Sequence, residues 1–259
     1  MLPALRRARI IELLRQNGGM GLKDMSRALG ASVSTLRRDV DYLCEQGHLE
    51  RTHGGAVLKA GLRAGAELER EIASELDSGA KRAIGLCAAE LIQPGQTVII
   101  DSGTTTAAAA RIARDRHVSF TAITNDLAIG AILASGPHIR VQVTGGTIRP
   151  GTSTLLGADA LHSVSRLRAD LAFVGAHALS EQELSDTSIE LAELKRVIIA
   201  AADRPVLLAD SSKMFSHAFC SFARVSDLDH LITDSRITPA QIEALTARGA
   251  RVRVAAAEA

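Results

Sequence analysis

From residue 83 onward, short β-rich runs alternate with helical stripes, and that rhythm narrows the fold more than any other feature of the chain. Stripes at 83–92, 107–113, 127–133, 191–201 and 242–245 are interleaved with runs at 97–100, 118–123, 139–143, 171–174, 206–208, 231–233 and 252–254. A run that is apolar at successive positions must be buried on both faces, and strands joined through helices pair in parallel. The expectation is an α/β domain with a mostly parallel sheet covered by helices on both faces.

The first 59 residues follow a different pattern. Leu5, Ile10, Leu13 and Leu14 recur near helical spacing until Gly18 and Gly19 interrupt it. Leu22, Met25 and Leu29 form a second stripe, ended by Gly30. A third helix begins at Ser32, a good N-capping residue, carries Val33, Leu36, Val40 and Leu43, and stops at Gly47. Residues 49–57, with Gly54 and Gly55 between β-compatible pieces, read as a hairpin. Residues 1–59 hold ten Lys/Arg against six Asp/Glu, net +4, while residues 60–259 hold 20 against 23, net −3. That asymmetry favours a nucleic-acid-facing first part. Residues 60–77 turn to Ala, Gly and charge and are expected to form a partly helical linker, which leaves domains at 1–59 and 78–259.

At about 100° per residue the apolar positions of the third helix share one side, with Ser34 and Arg38 opposite and Thr35, Arg37 and Tyr42 on the flanks. Arginine bonds guanine bidentately, and Ser or Thr reaches phosphates and base edges. Ser34, Thr35, Arg37 and Arg38 are therefore candidate groove-reading residues. The plain alternative is a solvated face on which Asp41 pairs with the arginines. Arg51 and His53, just ahead of Gly54 and Gly55, would sit on a wing able to touch the phosphate backbone. Thr35, Leu36, Arg37, Arg38 and Asp39, followed by Leu43, Gly47, Leu49, Arg51, His53, Gly54, Gly55 and Ala56, resemble the signature of the DeoR family of bacterial transcriptional regulators. The resemblance implies a winged helix-turn-helix domain with both arginines on its recognition helix.

After the run at 97–100 come Asp101, Ser102, Gly103, Thr104, Thr105 and Thr106, then an alanine-rich helix. Unpaired amides at a helix start, the helix dipole and several hydroxyls make an anion site. The alternative is a capped helix whose hydroxyls serve only their own backbone. No Gly-Lys-Ser/Thr follows, so this is not a Walker A loop. Asn125, Gly146, Gly175 and residues 210–213 end other runs, at the edge where open α/β sheets bind ligands. Lys213 and Lys195 could each set a point charge against a phosphate, although Lys195, next to Arg196, also fits a surface lysine.

This half resembles the DeoR family as well, through residues 101–106, Thr124 and Asn125, Gly145 and Gly146, Gly157, Asp170, Gly175, Thr187, Glu190, Lys195 with Arg196, residues 210–213, and Thr233 with Asp234. The family's C-terminal domain is similar to ribose-5-phosphate isomerase and senses phosphorylated sugars or their metabolites. The resemblance implies a phosphate held by Ser102, Gly103, Thr104, Thr105 and Thr106, with Asn125, Gly146, Glu190, Lys195 and Lys213 lining the rest. The chain departs from the family twice. Residues 177–185 lack the expected glycines, and Met214 with Phe215 stands where Phe-Gly is usual.

Several functions are excluded on composition and spacing. Cys44, Cys87 and Cys220 are odd in number and far apart, so neither a disulfide framework nor a metal knuckle is expected. No apolar run nears the roughly 18 to 20 residues that span a bilayer, and a cytoplasmic location is the expectation. His162, His177, His217 and His230 lack metal-ligand spacing and Ser102 lacks a nucleophile elbow, so no metal, cofactor or covalent catalysis is expected. The absence of Trp, with a single Tyr, disfavours a base-stacking platform for single strands.

The expected function is a transcriptional regulator, a repressor, that binds a double-stranded DNA operator as a homo-oligomer and responds to a phosphorylated sugar. The rival is a sugar-phosphate isomerase with a DNA-binding appendage, for which Asp101 or Glu190 would supply the base. A non-specific nucleoid protein would need more than a net +4 over 59 residues.

Overall fold

The computed structural model describes residues 1–59 and 70–256. The chain divides into two units, Met1–Leu76 and Asp77–Ala259. The first contains α1 (Pro3–Asn17), β1 (Gly19–Gly21), α2 (Leu22–Leu29), α3 (Val33–Glu45), β2 (Leu49–Thr52), β3 (Gly55–Leu58) and α4 (Arg70–Glu75). Gly30 takes the left-handed conformation that closes α2, and the Ser32 hydroxyl then accepts the Thr35 amide at 3.2 Å to start α3.

The hairpin expected at 49–57 is present, but it belongs to a three-stranded antiparallel sheet of order β1-β3-β2. The third strand is Gly19–Gly21, which the sequence signalled only as a break. Any side chain at Gly55 would collide with the Met20 carbonyl, so glycine is what lets β1 lie against β3.

Ile10, Ile11, Leu14, Met25, Leu36, Val40 and Leu43 form the core of this unit, together with Ile72 and Leu76. The linker expectation is corrected at this point. Residues 60–69 lie outside the described residues, whereas 70–76 pack into the first unit, with Ile72 and Leu76 only 1% and 3% exposed.

The second unit begins with α5 (Ser78–Ala89), β4 (Thr97–Ile100), α6 (Thr104–Asp115), β5 (Phe120–Thr124), α7 (Leu127–Ala134) and β6 (Ile139–Val143). It continues with β7 (Thr147–Ile148), β8 (Leu155–Leu156), α8 (Ala158–Ser165), β9 (Leu171–Val174), β10 (Ala178–Leu179), β11 (Glu183–Asp186) and α9 (Ile189–Ala200). The last elements are β12 (Pro205–Leu208), β13 (Cys220–Arg224), β14 (His230–Asp234), α10 (Pro239–Ala247) and β15 (Val252–Ala255).

Among the described residues the main sheet has seven strands, parallel throughout, in the order β15-β14-β12-β9-β4-β5-β6. Its two faces carry separate cores. Val98, Ile100, Phe173 and Leu208 pack with α5, α6 and α7 on one side. Ile99, Ala172, Val174 and Leu207 pack with α8, α9 and α10 on the other. Successive residues thus serve opposite faces, which is why these strands read as unbroken apolar runs. A small antiparallel sheet, β10-β11-β13, and the hairpin of β7 with β8 were not legible, because strands of two to five residues with mixed polar and apolar positions carry little periodicity.

From β4 the chain winds outward through β5 to β6, then returns to place β9 on the other side of β4. The boundary between β4 and β9 is therefore the point where the winding reverses. In open parallel sheets the crevice at the carboxyl ends of the strands opens there.

Candidate functional site

Two regions carry the residues singled out above. On α3, Ser34, Arg37 and Arg38 are exposed and Thr35 is half-buried. The Ser32 hydroxyl lies 2.9 Å from that of Ser34 and 2.8 Å from that of Thr35, gathering three hydroxyls at the helix N-terminus. Among the described residues neither Arg37 nor Arg38 has an ion-pair partner. Asp41, the alternative partner for them, is instead paired with Arg51.

Arg51, expected to stand on the wing for a phosphate, reaches back from β2 to pair with Asp41 of α3. His53 is exposed in the turn between β2 and β3. Asp39, quoted in the sequence signature without a role, is buried and ion-paired with Arg6 and Arg7 of α1. Its place at the border of the apolar stripe was the available signal.

The second region sits at the carboxyl ends of β4, β5 and β9. Asp101, Ser102 and Gly103 lead into α6, and the helix start has no side-chain cap from Gly103. The first-turn amides of a helix lack intrahelical acceptors and carry the positive end of its dipole. Ser102 and Thr105 are buried, with Gly103 and Thr104 half-buried. The Thr106 hydroxyl donates to the Gly103 carbonyl at 3.0 Å and so serves the loop itself. Asn125 reaches across from the end of β5, its Oδ1 accepting the Ser102 amide at 3.0 Å. Its Nδ2 is buried and has no hydrogen-bond partner among the described residues. An orphaned amide donor at that depth is costly unless a ligand or water accepts from it.

Lys195 is not a surface lysine, and that alternative is corrected. The side chain is buried, donating to Asp101 and, at 2.9 Å, to the Gly175 carbonyl, with Asp186 at 3.5 Å. Asp101 also accepts the Gly175 amide at 3.2 Å. Burial alone would push the ammonium down; Asp101 and Asp186 reverse that and hold it above the ordinary lysine value. Its charge is spent on bracing the ends of β4, β9 and β11 beneath the loop. Asp186 was not singled out in the sequence, since a carboxylate 85 positions from Asp101 gives no local pattern.

The remaining residues lie around this centre. Gly146, at φ +119°, follows β6, and a side chain there would strike the Leu156 carbonyl of β8. Glu190 is exposed in the first turn of α9. Lys213 closes the short helical turn Ser211–Lys213 after β12 and is half-buried. Burial would raise the Asp210 carboxyl, but Lys213 and Lys81 hold it below the usual carboxylate range. Phe215 takes a left-handed φ of +55° where the family resemblance leads one to expect glycine. Among the described residues no group of three or more His, Cys, Asp or Glu could hold a metal ion, and no helix is long and apolar enough to cross a membrane.

Comparison with known proteins agrees with this division of the chain. The DeoR-like helix-turn-helix domain matches residues 6–60, and the DeoR C terminal sensor domain matches residues 77–235. The HTH-type transcriptional regulator GlpR of Haloferax volcanii is 34% identical over 97% of this chain and 98% of its own length. The HTH-type transcriptional regulator GolR of Listeria innocua is 33% identical over 98% and 100%, respectively. The glycerol-3-phosphate regulon repressor of Haemophilus influenzae is 29% identical over 90% of each. Solved structures overlap more loosely, as with ribose 5-phosphate isomerase A from Methanocaldococcus jannaschii, at a TM-score of 0.39 and 17% identity over 52% of this chain and 53% of that one. Overlap of that size speaks to neither activity nor ligand. Taken with an exposed arginine pair on a capped helix and a sensor domain wound about a single switch point, the match over nearly the full length makes this chain a member of the DeoR family of transcriptional regulators.

Proposed function

We propose that the chain is a repressor that binds a double-stranded DNA operator as a homo-oligomer, in the cytoplasm, and is switched by a phosphorylated sugar or related phosphorylated polyol. The observation that carries the effector half is the start of α6, without a side-chain cap, at the winding reversal, where the buried Asn125 holds the Ser102 amide through Oδ1 and leaves its Nδ2 orphaned. Amide groups, a helix dipole and hydroxyls at that spot suit a phosphate better than an apolar ligand. Ser102, Gly103, Thr104, Thr105, Thr106 and Asn125 would hold it, with Gly146, Glu190 and Lys213 toward the carbohydrate end. The name of the Haemophilus influenzae relative, a regulator of a glycerol-3-phosphate regulon, agrees with that class. Ser34, Thr35, Arg37, Arg38 and His53 would face the DNA. The effector binds one conformation better and so shifts the population of the operator-competent one.

Two observations weigh against the isomerase reading: Asp101 is ion-paired with Lys195, and Glu190 is exposed on α9. The protein is therefore proposed not to be an enzyme, and turnover of any pentose or hexose phosphate near 1 to 10³ per second would refute that.

A thermal-shift screen of phosphorylated sugars, confirmed by calorimetry, tests the reading. A cognate ligand at about 100 times its Kd adds about 2.7 kcal/mol. Lys213→Ala is expected to weaken that ligand while keeping DNA. Arg38→Ala is expected to keep the ligand and lose roughly 1 to 3 kcal/mol of specific DNA binding.

A further inference from the structure

We propose that Asp39, which does not itself face DNA, is the positioning residue that sets the rotation of α3. Asp39 is 3% exposed, close in sequence to the exposed Arg37 and Arg38 on the same helix. One oxygen accepts the Arg6 Nε–H at 2.5 Å and the other accepts the Arg7 Nε–H at 3.2 Å, so one turn of α1 grips it from two sides. The Arg7 guanidinium also lies over the Tyr42 ring, 3.4 Å from its centroid, one turn further along α3. Arg6 in turn donates to the Met1 carbonyl at 2.9 Å. Each of the three charged groups has its direction specified by a partner.

The apolar stripe of α3 cannot supply this precision. Leu36, Val40 and Leu43 hold the helix against the core, but apolar contact is non-directional and tolerates a small roll. A roll of roughly 20° carries a group about 6 Å from the axis through about 2 Å, more than a hydrogen bond to a base edge survives. Charge-assisted bonds from two guanidiniums to one carboxylate are directional and forbid the roll. Burying ions contributes little net stability compared with packed apolar residues, so the value of the trio lies in geometry. It also withdraws Arg6 and Arg7 from the cations available to phosphates.

The proposal rests on α3 being the groove-reading helix, and its test separates the two claims. The full-length protein and its variants are titrated at fixed salt with two duplexes. One is the duplex that the wild-type protein enriches from a random-sequence library; the other is a mixed-sequence duplex of equal length. On charge alone, Asp39→Asn should tighten both complexes, because it removes a negative group near DNA. Positioning gives the opposite sign: a ten- to hundredfold loss on the selected duplex, with the mixed-sequence duplex unchanged within about threefold. Asp39→Glu, which keeps the charge, should recover part of the lost selectivity. Unchanged or improved selective binding in Asp39→Asn, or an equal loss on both duplexes, overturns the proposal. If Asp39→Asn fails to melt cooperatively, Arg6→Lys is read by the same criteria, since it keeps the charge and loses the planar fork. Arg38→Ala, run alongside, tests the groove reading by itself. If it keeps its affinity for the selected duplex, α3 is not the reader and the positioning role falls with it.

Discussion

Single side chains decide which cations of the first unit meet DNA. Arg51 and Asp41 are both about half exposed, so their ion pair contributes only about 0.2 to 1 kcal/mol to stability. On DNA this pair is expected to survive, so that Arg51 makes no phosphate contact. Arg51→Ala is therefore expected to leave the slope of log affinity against log salt unchanged, where loss of a phosphate contact would lower it by about 0.9. Asp41→Ala removes a negative charge from α3 and frees Arg51, and is expected to tighten binding and steepen that slope. Salt titrations of both variants on the selected duplex decide between strut and phosphate ligand. At the other end of the chain, Phe215 holds a left-handed backbone that costs a bulky residue about 1 to 2 kcal/mol. Phe215→Gly should release that strain and return about 0.4 to 1 kcal/mol as extra freedom of the unfolded chain. A net gain of roughly 0.5 to 1 kcal/mol is expected in thermal melts, and a loss would mean that the aromatic ring packs where its half-exposed position does not suggest.

Elements of the second unit meet at a polar edge whose charges link stability to pH. Asp210 after β12 is held low by Lys213 and Lys81 against its burial. Asp234 in β14, likewise buried, is held low by Arg236 and the Ser211 amide. A carboxylate lowered in the folded state contributes stability above its unfolded value, about 3.9, and loses it as pH falls through the folded value. Lys195 runs the other way. Its raised value contributes stability below the unfolded value of about 10.4, and that contribution is lost as pH rises through the folded one. The contribution of these groups should thus be level from about pH 5 to 9 and should decline below about pH 4. Melting of the full chain across this range checks the trend. Asp210→Asn should melt lower at neutral pH yet show a shallower acid decline, and an equally steep decline would remove Asp210 from the linkage.

At the scale of the molecule, the two units have separate cores, and the boundary of the first lies later than composition suggested. Ile72 and Leu76 together bury apolar surface worth roughly 3 to 6 kcal/mol in that core. A fragment of residues 1–76 is expected to be more stable than one of residues 1–59 by several kcal/mol, and the shorter one to expose the apolar face of α1. Denaturant melts of the two fragments measure the difference. Equal midpoints would mean that α4 adds nothing to the first unit.

The parallel sheet and its helices were legible because burial on both faces leaves a local trace, an unbroken apolar run such as residues 97–100 between helical stripes. The winged helix was legible for a similar reason. Gly30, Ser32, Gly47, Gly54 and Gly55 are turn and cap residues whose effect is confined to their neighbours. The loop at 101–106 belongs with them, since a strand, a glycine and a run of hydroxyls are contiguous. Partners far apart in sequence leave no such trace. Nothing local tells Lys195 that Asp101 and Asp186 will close on it, or Arg51 that Asp41 lies within reach, or Asp39 that two arginines wait on α1. Residues 70–76 look like linker because Ile72 and Leu76 are only two apolar positions among charges, and only the groove along α1 makes them core. Sequence by itself determined which elements form and where chemistry can gather. Tertiary structure alone decided which charges are spent on each other and which are left to meet a ligand, because ion pairing depends on distance in space and not along the chain.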